Sequence, residues 1–218
     1  MSYTSFNNYK LLLLIFKALS YSPYMEKLFG RDSIENEEIE SIDLSEKKLL
    51  SKLITNTTFK SCNFTQTDLF ETTFEDCEFY ECNFSITNIQ HTGFRGVVFK
   101  DCKLLSLDFT KSDQFVVDFE FQGCLIQGCS FSDMNLKRIK FIKSTVADCD
   151  FFNSDLQGSS FKECDLIKTN FLNTDLRKAN FQGAKNYIIN PSSNKIEKGI
   201  FSLPEAMSLL NEFKIIIK

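Results

Sequence analysis

Eight cysteines are the residues of this sequence whose side chains offer the most chemistry, because thiolates bind metals, attack electrophiles and form disulfides. Two pairs are five residues apart, Cys77 with Cys82 and Cys124 with Cys129, and they lack the short spacing and second pair of a zinc site. Thr, Ser and Ala take the same place in neighbouring segments, so the place selects for small volume. We therefore predict that all eight thiols are buried and pack as small hydrophobic groups. The eight are Cys62, Cys77, Cys82, Cys102, Cys124, Cys129, Cys149 and Cys164.

Other catalytic arrangements do not occur in the sequence. His91 is the one histidine, which excludes sites that need two imidazoles, and we expect it on the surface. There is no GxSxG motif, no phosphate-binding glycine loop and no grouped nucleophile, base and orienting residue. We therefore predict a protein that is not an enzyme and binds no cofactor or metal.

Charge and hydropathy narrow the classes of partner. The 218 residues include 25 Lys and Arg against 29 Asp and Glu, a net charge of -4, which disfavours direct binding to nucleic acid. The longest apolar run near the N-terminus, Leu11 to Phe16, closes at Lys17, far short of the roughly 20 residues that span a bilayer. We expect a cytoplasmic protein with no membrane partner.

A five-residue repeat places these residues, since a large apolar residue returns at every fifth position from Phe59 to Phe109. The repeat then shifts by two residues within the segment Thr110 to Phe115. We call this six-residue segment, which contains the two additional residues, the insertion. Val116 then starts a second unbroken series that ends at Phe181. The aromatic members of this second series are predicted core residues: Phe121, Phe131, Phe141, Phe151, Phe161, Phe171 and Phe181.

Neither a helix of period 3.6 nor a flat strand of period 2 keeps a five-residue stripe on one side, so the chain must turn regularly. A small residue, often Cys or Thr, lies two positions before each centre. Asn or Asp often lies between them, as at Asn63, Asp68 and Asn83, where its side chain can bond locally to turn backbone.

Segments such as Ser154-Asp155-Leu156 and Ala179-Asn180-Phe181 resemble the unit of the pentapeptide-repeat family, commonly written A(D/N)LXX. The resemblance covers about Thr57 to Ala184. It implies an all-β fold, a right-handed quadrilateral β-helix in which four pentapeptides make one coil. The 24 centres other than Val116 would then make six coils, about 29 Å long at about 4.8 Å per stacked strand.

We divide the chain into three parts. Residues 1–54 are predicted to form a helical capping region with a degenerate first coil, residues 55–185 the β-helix, and residues 186–218 a C-terminal cap. Met25 is an alternative start to Met1, in which case residues 1–24 lie upstream. In the tail, Ser202 and Glu205 have capping-box spacing, and we expect a short helix followed by a last strand over Ile215 to Ile217.

The stretch from Ile189-Asn190-Pro191 through Phe201-Ser202-Leu203-Pro204-Glu205-Ala206 resembles the tail of pentapeptide-repeat proteins that protect DNA gyrase, the Qnr quinolone-resistance proteins and the microcin immunity proteins. In those relatives the C-terminal element supports a head-to-head dimer. The alternative is an end cap in a monomer. The residues expected at this dimer interface or cap are Leu203, Met207, Leu210 and Phe213.

The same resemblance implies a DNA-mimicking partner of a type II topoisomerase, DNA gyrase or topoisomerase IV, that protects the enzyme from quinolones or gyrase-targeting toxins. Residues 55–185 carry 18 acidic and 14 basic residues, whereas a duplex 29 Å long carries roughly 17 negative charges. With Val116 as the centre that restores the register, one side of the β-helix concentrates the acidic residues and carries one opposing cation, Lys111. We call this side, centred on Leu69, Ile89, Phe109, Phe131, Phe151 and Phe171, the acidic face. Its candidate partner-binding residues are Asp68, Glu71, Asp108, Asp133 and Asp150.

Three alternatives stay open. The acidic residues are equally consistent with the solvated surface of a soluble rod. A general interaction scaffold with a non-topoisomerase partner fits the fold as well, because folds do not fix functions. A group of basic residues argues against uniform DNA mimicry and suits an acidic partner: Lys137, Arg138, Lys140 and Lys143. Separately, the insertion adds only two residues, which favours a bulge over a projecting loop.

Overall fold

The computed structural model describes residues 26, 27 and 29–216. Each five-residue unit forms one side of a square coil, with its central side chain pointing inward. The predicted fold class, a quadrilateral β-helix, is confirmed, with about eight turns, or about 38 Å of stacked strands. The two additional turns come from both ends: Ile34, Ile39, Leu44 and Leu49 are buried before the predicted repeat, and Phe201 continues the stack beyond it.

Within the described residues, fourteen short strands form the walls of the coils. Their bounds are β1 Ser33–Glu35, β2 Glu38–Glu40, β3 Leu53–Thr55, β4 Thr58–Lys60, β5 Thr73–Glu75, β6 Glu78–Tyr80, β7 Gly93–Lys100, β8 Lys103–Leu105, β9 Val117–Gln122, β10 Leu125–Gln127, β11 Lys140–Ile142, β12 Thr145–Ala147, β13 Asn180–Phe181 and β14 Ile200–Phe201. 3₁₀ helices span Phe109–Lys111 and Glu205–Phe213.

Every pair of neighbouring strands is parallel, and each residue lies above its counterpart in the preceding coil. Phe59 of β4 pairs with Phe79 of β6, a separation of 20 residues. Across the insertion the separation becomes 22 residues, as for Phe99 of β7 and Phe121 of β9. Each wall is therefore a stack in which the same pentapeptide position recurs in every coil.

The interior is a stack of phenylalanine rings. The seven predicted core phenylalanines are all at most 2% exposed. Rings in successive coils lie face to face, with centroids 4.8 Å apart for Phe131 and Phe151 and 5.0 Å for Phe141 and Phe161. This buried, aromatic interior supplies the apolar burial that offsets the entropy of ordering the chain.

Local hydrogen bonds form the turns between the walls. The side-chain oxygens of Asn63 and Asn83 accept from the backbone N–H two residues later, both at 3.1 Å, as expected for Asn in a turn. The corner itself is the residue two after each centre, which adopts a left-handed backbone, with φ 50° at Ser61 and 59° at Glu71. The N–H of Ser61 donates to the carbonyl of Tyr80 in the next coil at 2.8 Å.

The insertion continues from the 3₁₀ helix Phe109–Lys111 into an irregular turn in which Ser112 is buried and Gln114 and Phe115 are exposed. The pairing of β7 with β9, the strand that follows the insertion, shifts register between Arg95 and Val97. The expectation that Val116 is an interior centre is wrong, because Val116 is 38% exposed. The inward place is taken by Phe119, which is 3% exposed and packs on Phe94 and Phe109. The two additional residues are thus accommodated outside the interior of the coil. The inward-pointing residue is Phe119, three positions after the predicted Val116.

The ends of the rod depart in detail from the sequence pattern. The helix begins after Pro204 without a side-chain cap; Ser202 instead accepts from the N–H of Gly183 at 3.0 Å, so the predicted capping box does not form. Ile215 and Ile216 are not in a strand, and Ile217 lies outside the described residues. Of the helical capping region predicted within residues 1–54, residues 1–25 also lie outside them; Glu26, Lys27 and Phe29 are helical, and strands of the β-helix begin at Ser33.

Candidate partner-binding surface

The acidic face is built from two columns of residues that repeat at every coil. In the first column, isolated parallel bridges join Asp68 to Asn88, Asp108 to Ser130, and Ser130 to Asp150. The three aspartates therefore alternate with neutral residues, about 9.6 Å apart at two coil heights each. The corrected position of Val116 leaves this alignment intact, because the coil register is restored before Phe121.

Neutral neighbours hold the carboxylates of the first column. The Asp68 side chain accepts from Asn88 Nδ2 at 2.7 Å, and the Asp150 side chain accepts from Asn170 Nδ2 at 2.8 Å. Each also accepts from a backbone N–H in its own turn, at 3.2 Å and 2.9 Å respectively. These bonds fix the side chains while leaving their negative charges uncompensated.

The second column is formed by corner residues. Glu71 and Asp133 are exposed and have φ of 59° and 60°. Ser51 Oγ donates to Glu71 at 3.1 Å, and Asn153 Nδ2 donates to Asp133 at 2.6 Å. The five predicted acidic residues thus lie along one wall and its corner.

One of the five carboxylates has a cationic partner. Lys111 Nζ lies 3.0 Å from Asp108. Partial burial raises the pKa of Asp108, but hydrogen bonds from Thr110 and Lys111 outweigh it, so the pKa lies below its ordinary value. Asp108 is therefore ionised but neutralised, and four carboxylates carry the field of this face.

Sequence analysis missed features that depend on adjacency between coils. Lys48 lies directly beside Asp68 in the preceding coil, so a second cation besides Lys111 lies at the N-terminal end of the acidic face. Phe152 and Leu172 lie on the same wall, 37% and 46% exposed. Their positions follow each centre by one residue, a place that the five-residue pattern assigns to no class, and they give the wall apolar contact area.

The cysteines and the histidine have the surroundings of structural residues. All eight thiols are free and buried, and Cys77 and Cys164 lie close to backbone carbonyls that accept from sulfur at 3.3 Å and 2.9 Å. Burial raises the pKa of Cys77 to about 11 and that of Cys164 to about 12, which disfavours the reactive thiolate. His91 is an exposed corner residue. Its ring lies T-shaped to the ring of Phe70, with the two centroids 5.5 Å apart.

The described part of the chain contains neither a candidate metal site nor a candidate membrane span. Among residues 26, 27 and 29–216, no group of three or more His, Cys, Asp or Glu side chains is placed to hold a metal ion. In the same residues, no helix has the length and apolar character needed to cross a membrane.

The C-terminal element presents apolar side chains at one end of the rod. Leu203 is 77% and Phe213 57% exposed, and Met207 is also exposed. Leu210 is half-buried, while Leu209 packs against the core. One side of this element therefore caps the last coil, and the other side faces outward.

Comparisons with known proteins agree with this geometry. The family model "Pentapeptide repeat region" matches residues 52–128 and 72–151, and "Pentapeptide repeats (8 copies)" matches residues 147–183. No curated protein sequence matches the chain significantly.

Several solved structures are similar to this chain. A trypsin-treated variant of QnrB1, a plasmid-mediated fluoroquinolone resistance protein, superimposes with a TM-score of 0.51 at 18% identity, covering 85% of this chain and 91% of that chain. Full-length QnrB1 gives 0.39 at 18% identity, covering 84% and 100%. HetL of Nostoc sp. strain PCC 7120, involved in heterocyst differentiation regulation, gives 0.32 at 13% identity, covering 81% and 92%. The square coils with their inward central residues and the matched models over residues 52–183 establish that this chain belongs to the pentapeptide-repeat family.

Proposed function

We propose that this chain is a non-enzymatic protein-binding β-helix whose acidic face imitates duplex DNA and binds a type II topoisomerase, DNA gyrase or topoisomerase IV. Binding would protect the enzyme from quinolones or gyrase-targeting toxins. The observation that carries the proposal is the aligned column Asp68, Asp108 and Asp150, flanked by the corner residues Glu71 and Asp133. Fold similarity to QnrB1 adds an expectation from a relative.

The spacing of the column favours a sparse imitation of the backbone. One strand of a duplex carries a phosphate every 3.4 Å or so along the axis, so carboxylates about 9.6 Å apart match about every third phosphate. Such a surface attracts the cationic DNA-binding groove of a topoisomerase while binding it less tightly than DNA does. Phe152 and Leu172 add apolar contacts that DNA lacks.

A matched pair of charge variants tests the acidic face. The test variant is Asp68→Asn, Glu71→Lys, Asp133→Lys and Asp150→Asn, in which Asn keeps the local hydrogen bonds and occurs in the same column at Asn88 and Asn170. The control is Asp76→Lys, Glu81→Lys and Asp101→Lys, at exposed corners away from this face with the same left-handed backbone. Both variants raise the net charge by six.

We expect the test variant to bind purified DNA gyrase at least about tenfold more weakly than the control does, and to lose rescue of supercoiling from a quinolone or gyrase toxin. Equal effects of the two variants would contradict the assignment of the acidic face. If the unmodified protein neither binds nor rescues gyrase or topoisomerase IV at micromolar concentration, the topoisomerase proposal fails.

The alternative is an interaction scaffold with a non-topoisomerase partner. The sparse charge of the wall and its exposed Phe152 and Leu172 favour an ordinary protein surface over a close DNA mimic. A pull-down from the source cell separates the two: recovery of a topoisomerase as the main partner supports the first proposal, and recovery of another protein that loses binding with the test variant supports the second.

The C-terminal element is proposed to join two copies head to head. Its outward residues Leu203, Met207 and Phe213 are exposed, and a second copy would bury them. Changing these three to Glu, with Leu209 left in place to cap the coil, should convert a dimer into a monomer in light scattering coupled to size exclusion. A monomeric unmodified protein would leave the element as an end cap alone.

A further inference from the structure

A groove of about 460 Å³ lies beside the insertion, on a wall distinct from the acidic face. Its lining includes three cationic side chains, Lys137, Arg138 and Lys178, together with Phe115. Among the described residues, no Asp or Glu contributes to the lining. In a protein with a net charge of -4, this is a local concentration of positive charge around a concave surface.

The groove exists because a corner column is interrupted by glycine. Arg138, Gly158 and Lys178 are the same corner in three successive coils, with φ of 64°, 69° and 60°. A Cβ atom at Gly158 would have Arg138 Cγ at 3.8 Å as its one close neighbour, so a side chain would enter open space rather than clash. The missing side chain leaves a notch between two cations.

The insertion forms the second wall of the groove and is braced from below. Gln114 Nε2 donates to the carbonyl of Phe109 at 2.9 Å and to that of Ser112 at 3.0 Å. Asp113 accepts from the N–H of Phe115 at 2.9 Å and lies 3.1 Å from Arg95. These bonds hold Phe115 outward, 88% exposed, where its ring offers an apolar surface at a fixed position.

Two of the three cations have no ion-pair partner in the part of the chain that the structure describes. Lys137 lies 3.1 Å from Asp155, whereas neither Arg138 nor Lys178 forms an ion pair with any described residue. The nearby Lys140 and Arg177 are paired with Glu120 at 2.7 Å and Asp175 at 2.5 Å. The cations that flank the glycine notch are therefore the ones left available for a carboxylate from outside.

We propose that this groove binds an extended acidic peptide segment of a partner protein. Arg138 and Lys178 are two coils apart, about 9.6 Å. A polyproline II segment has three residues per turn and rises about 3.1 Å per residue, so carboxylates three residues apart lie on one side at about 9.3 Å. Such a segment places one carboxylate on each cation, lies over Gly158 and packs an apolar residue against Phe115. The inference goes beyond the proposed topoisomerase binding and does not depend on it.

Fluorescence anisotropy tests the proposal with a labelled proline-rich peptide that carries two Glu three residues apart and a neighbouring Leu. We expect binding that weakens with added salt. A peptide with both Glu changed to Gln, and one with the two Glu adjacent, should each bind at least about tenfold more weakly. Equal binding of all three peptides would overturn the proposed spacing.

Matched variants locate the site. Gly158→Asn fills the notch with a residue that tolerates this backbone, as Asn153 and Asn173 show at other corners. Gly128→Asn is its control, at a corner of another wall with φ of 64° and its nearest neighbour at 3.7 Å. We expect Gly158→Asn, and separately Arg138→Gln with Lys178→Gln, to weaken peptide binding at least about tenfold, with Gly128→Asn unchanged.

The double variant and Gly158→Asn must retain the circular dichroism spectrum and melting temperature of the unmodified protein, which separates loss of the site from loss of the fold. Unchanged peptide affinity in folded Gly158→Asn would overturn the assignment of the groove. Tighter binding of single-stranded oligothymidylate than of the peptide would overturn the proposed class of ligand, since Phe115 and the cations would then serve base stacking and phosphate contact. Either result leaves gyrase binding through the acidic face unaffected.

Discussion

The regular coils and the insertion show what a repeat can build and what it cannot. In the regular coils each residue has a copy of its own position above and below, as Asp68 has Lys48 and Asn88. At the insertion the separation between paired residues rises from 20 to 22, and the columns on one wall lose their alignment. The regular coils are flat walls with patterned charge, and the concave groove lies where the pattern breaks.

The contrast appears within one residue type. Phe151, in a regular coil, is completely buried, with rings at 4.8 Å and 5.3 Å on its two sides. Phe115, in the insertion, is 88% exposed. The difference indicates that the buried ring stack contributes to stability, whereas the insertion exposes a side chain that a partner can contact.

The largest expected effect is on the interior. Phe151→Ala should lower the free energy of unfolding by about 3 to 5 kcal/mol, because it removes a buried ring and leaves a cavity between two stacked neighbours. Phe115→Ala, the matched change in the insertion, should alter it by at most about 0.5 kcal/mol. Urea denaturation followed by circular dichroism measures both. Similar losses in the two variants would show that the insertion belongs to the cooperative core and would remove the contrast.

Sequence predicted the interior well because burial depends on the period alone. A five-residue spacing identifies which side chains point inward, and Phe121 through Phe181 are buried as that spacing requires. The sequence did not place Phe119 inside in place of Val116, because two additional residues can be accommodated at several points of one turn. Packing against Phe94 and Phe109 decides among them, and that contact is absent from a linear pattern.

The surfaces were predictable only in part, for a related reason. The column of Asp68, Asp108 and Asp150 follows from counting residues per coil. The groove does not, because it needs Gly158 to interrupt a corner column and Gln114 to hold Phe115 outward. A glycine at one position and an aromatic residue more than forty positions earlier carry no shared signal in the sequence.

A second comparison concerns buried hydroxyls and has an intermediate expected effect. Thr72 is fully buried, and its Oγ1 donates to the carbonyl of Leu49 at 2.6 Å and accepts from the N–H of Lys52 at 3.2 Å. Thr72→Ala leaves both backbone groups without this partner and should cost about 1 to 3 kcal/mol. Thr110→Ala, at an exposed position in the insertion, should cost at most about 0.5 kcal/mol.

The same denaturation series checks this comparison, with Thr72→Ser as the control that retains the hydroxyl. Thr72→Ser should lie closer to the unmodified protein than Thr72→Ala does. If Ser and Ala are equally destabilising, the lost methyl group rather than the hydrogen bonds is responsible, and the hydroxyl contributes nothing that distinguishes a regular coil from the insertion.

The smallest expected effect is the pH dependence of one ion pair in the regular coils. Asp175 accepts from Arg177 Nε at 2.8 Å, and this hydrogen bond lowers the pKa of Asp175 below its ordinary 3.8. A carboxyl group with a lowered pKa in the folded state stabilises the protein above pH 3.8 or so and loses that contribution as the pH falls through the lower, folded-state value. Asp175→Asn should therefore cost a few tenths of a kcal/mol to about 1 kcal/mol at pH 7, and progressively less below pH 3.8 or so.

Arg177→Gln should remove most of this pH dependence while Asp175 is retained, because the dependence arises from the partner and not from burial. Urea midpoints for the three proteins across pH 2.5 to 7 or so decide the matter: a pH-independent cost of Asp175→Asn would mean that the column is held by its neutral hydrogen bonds alone, as on the acidic face.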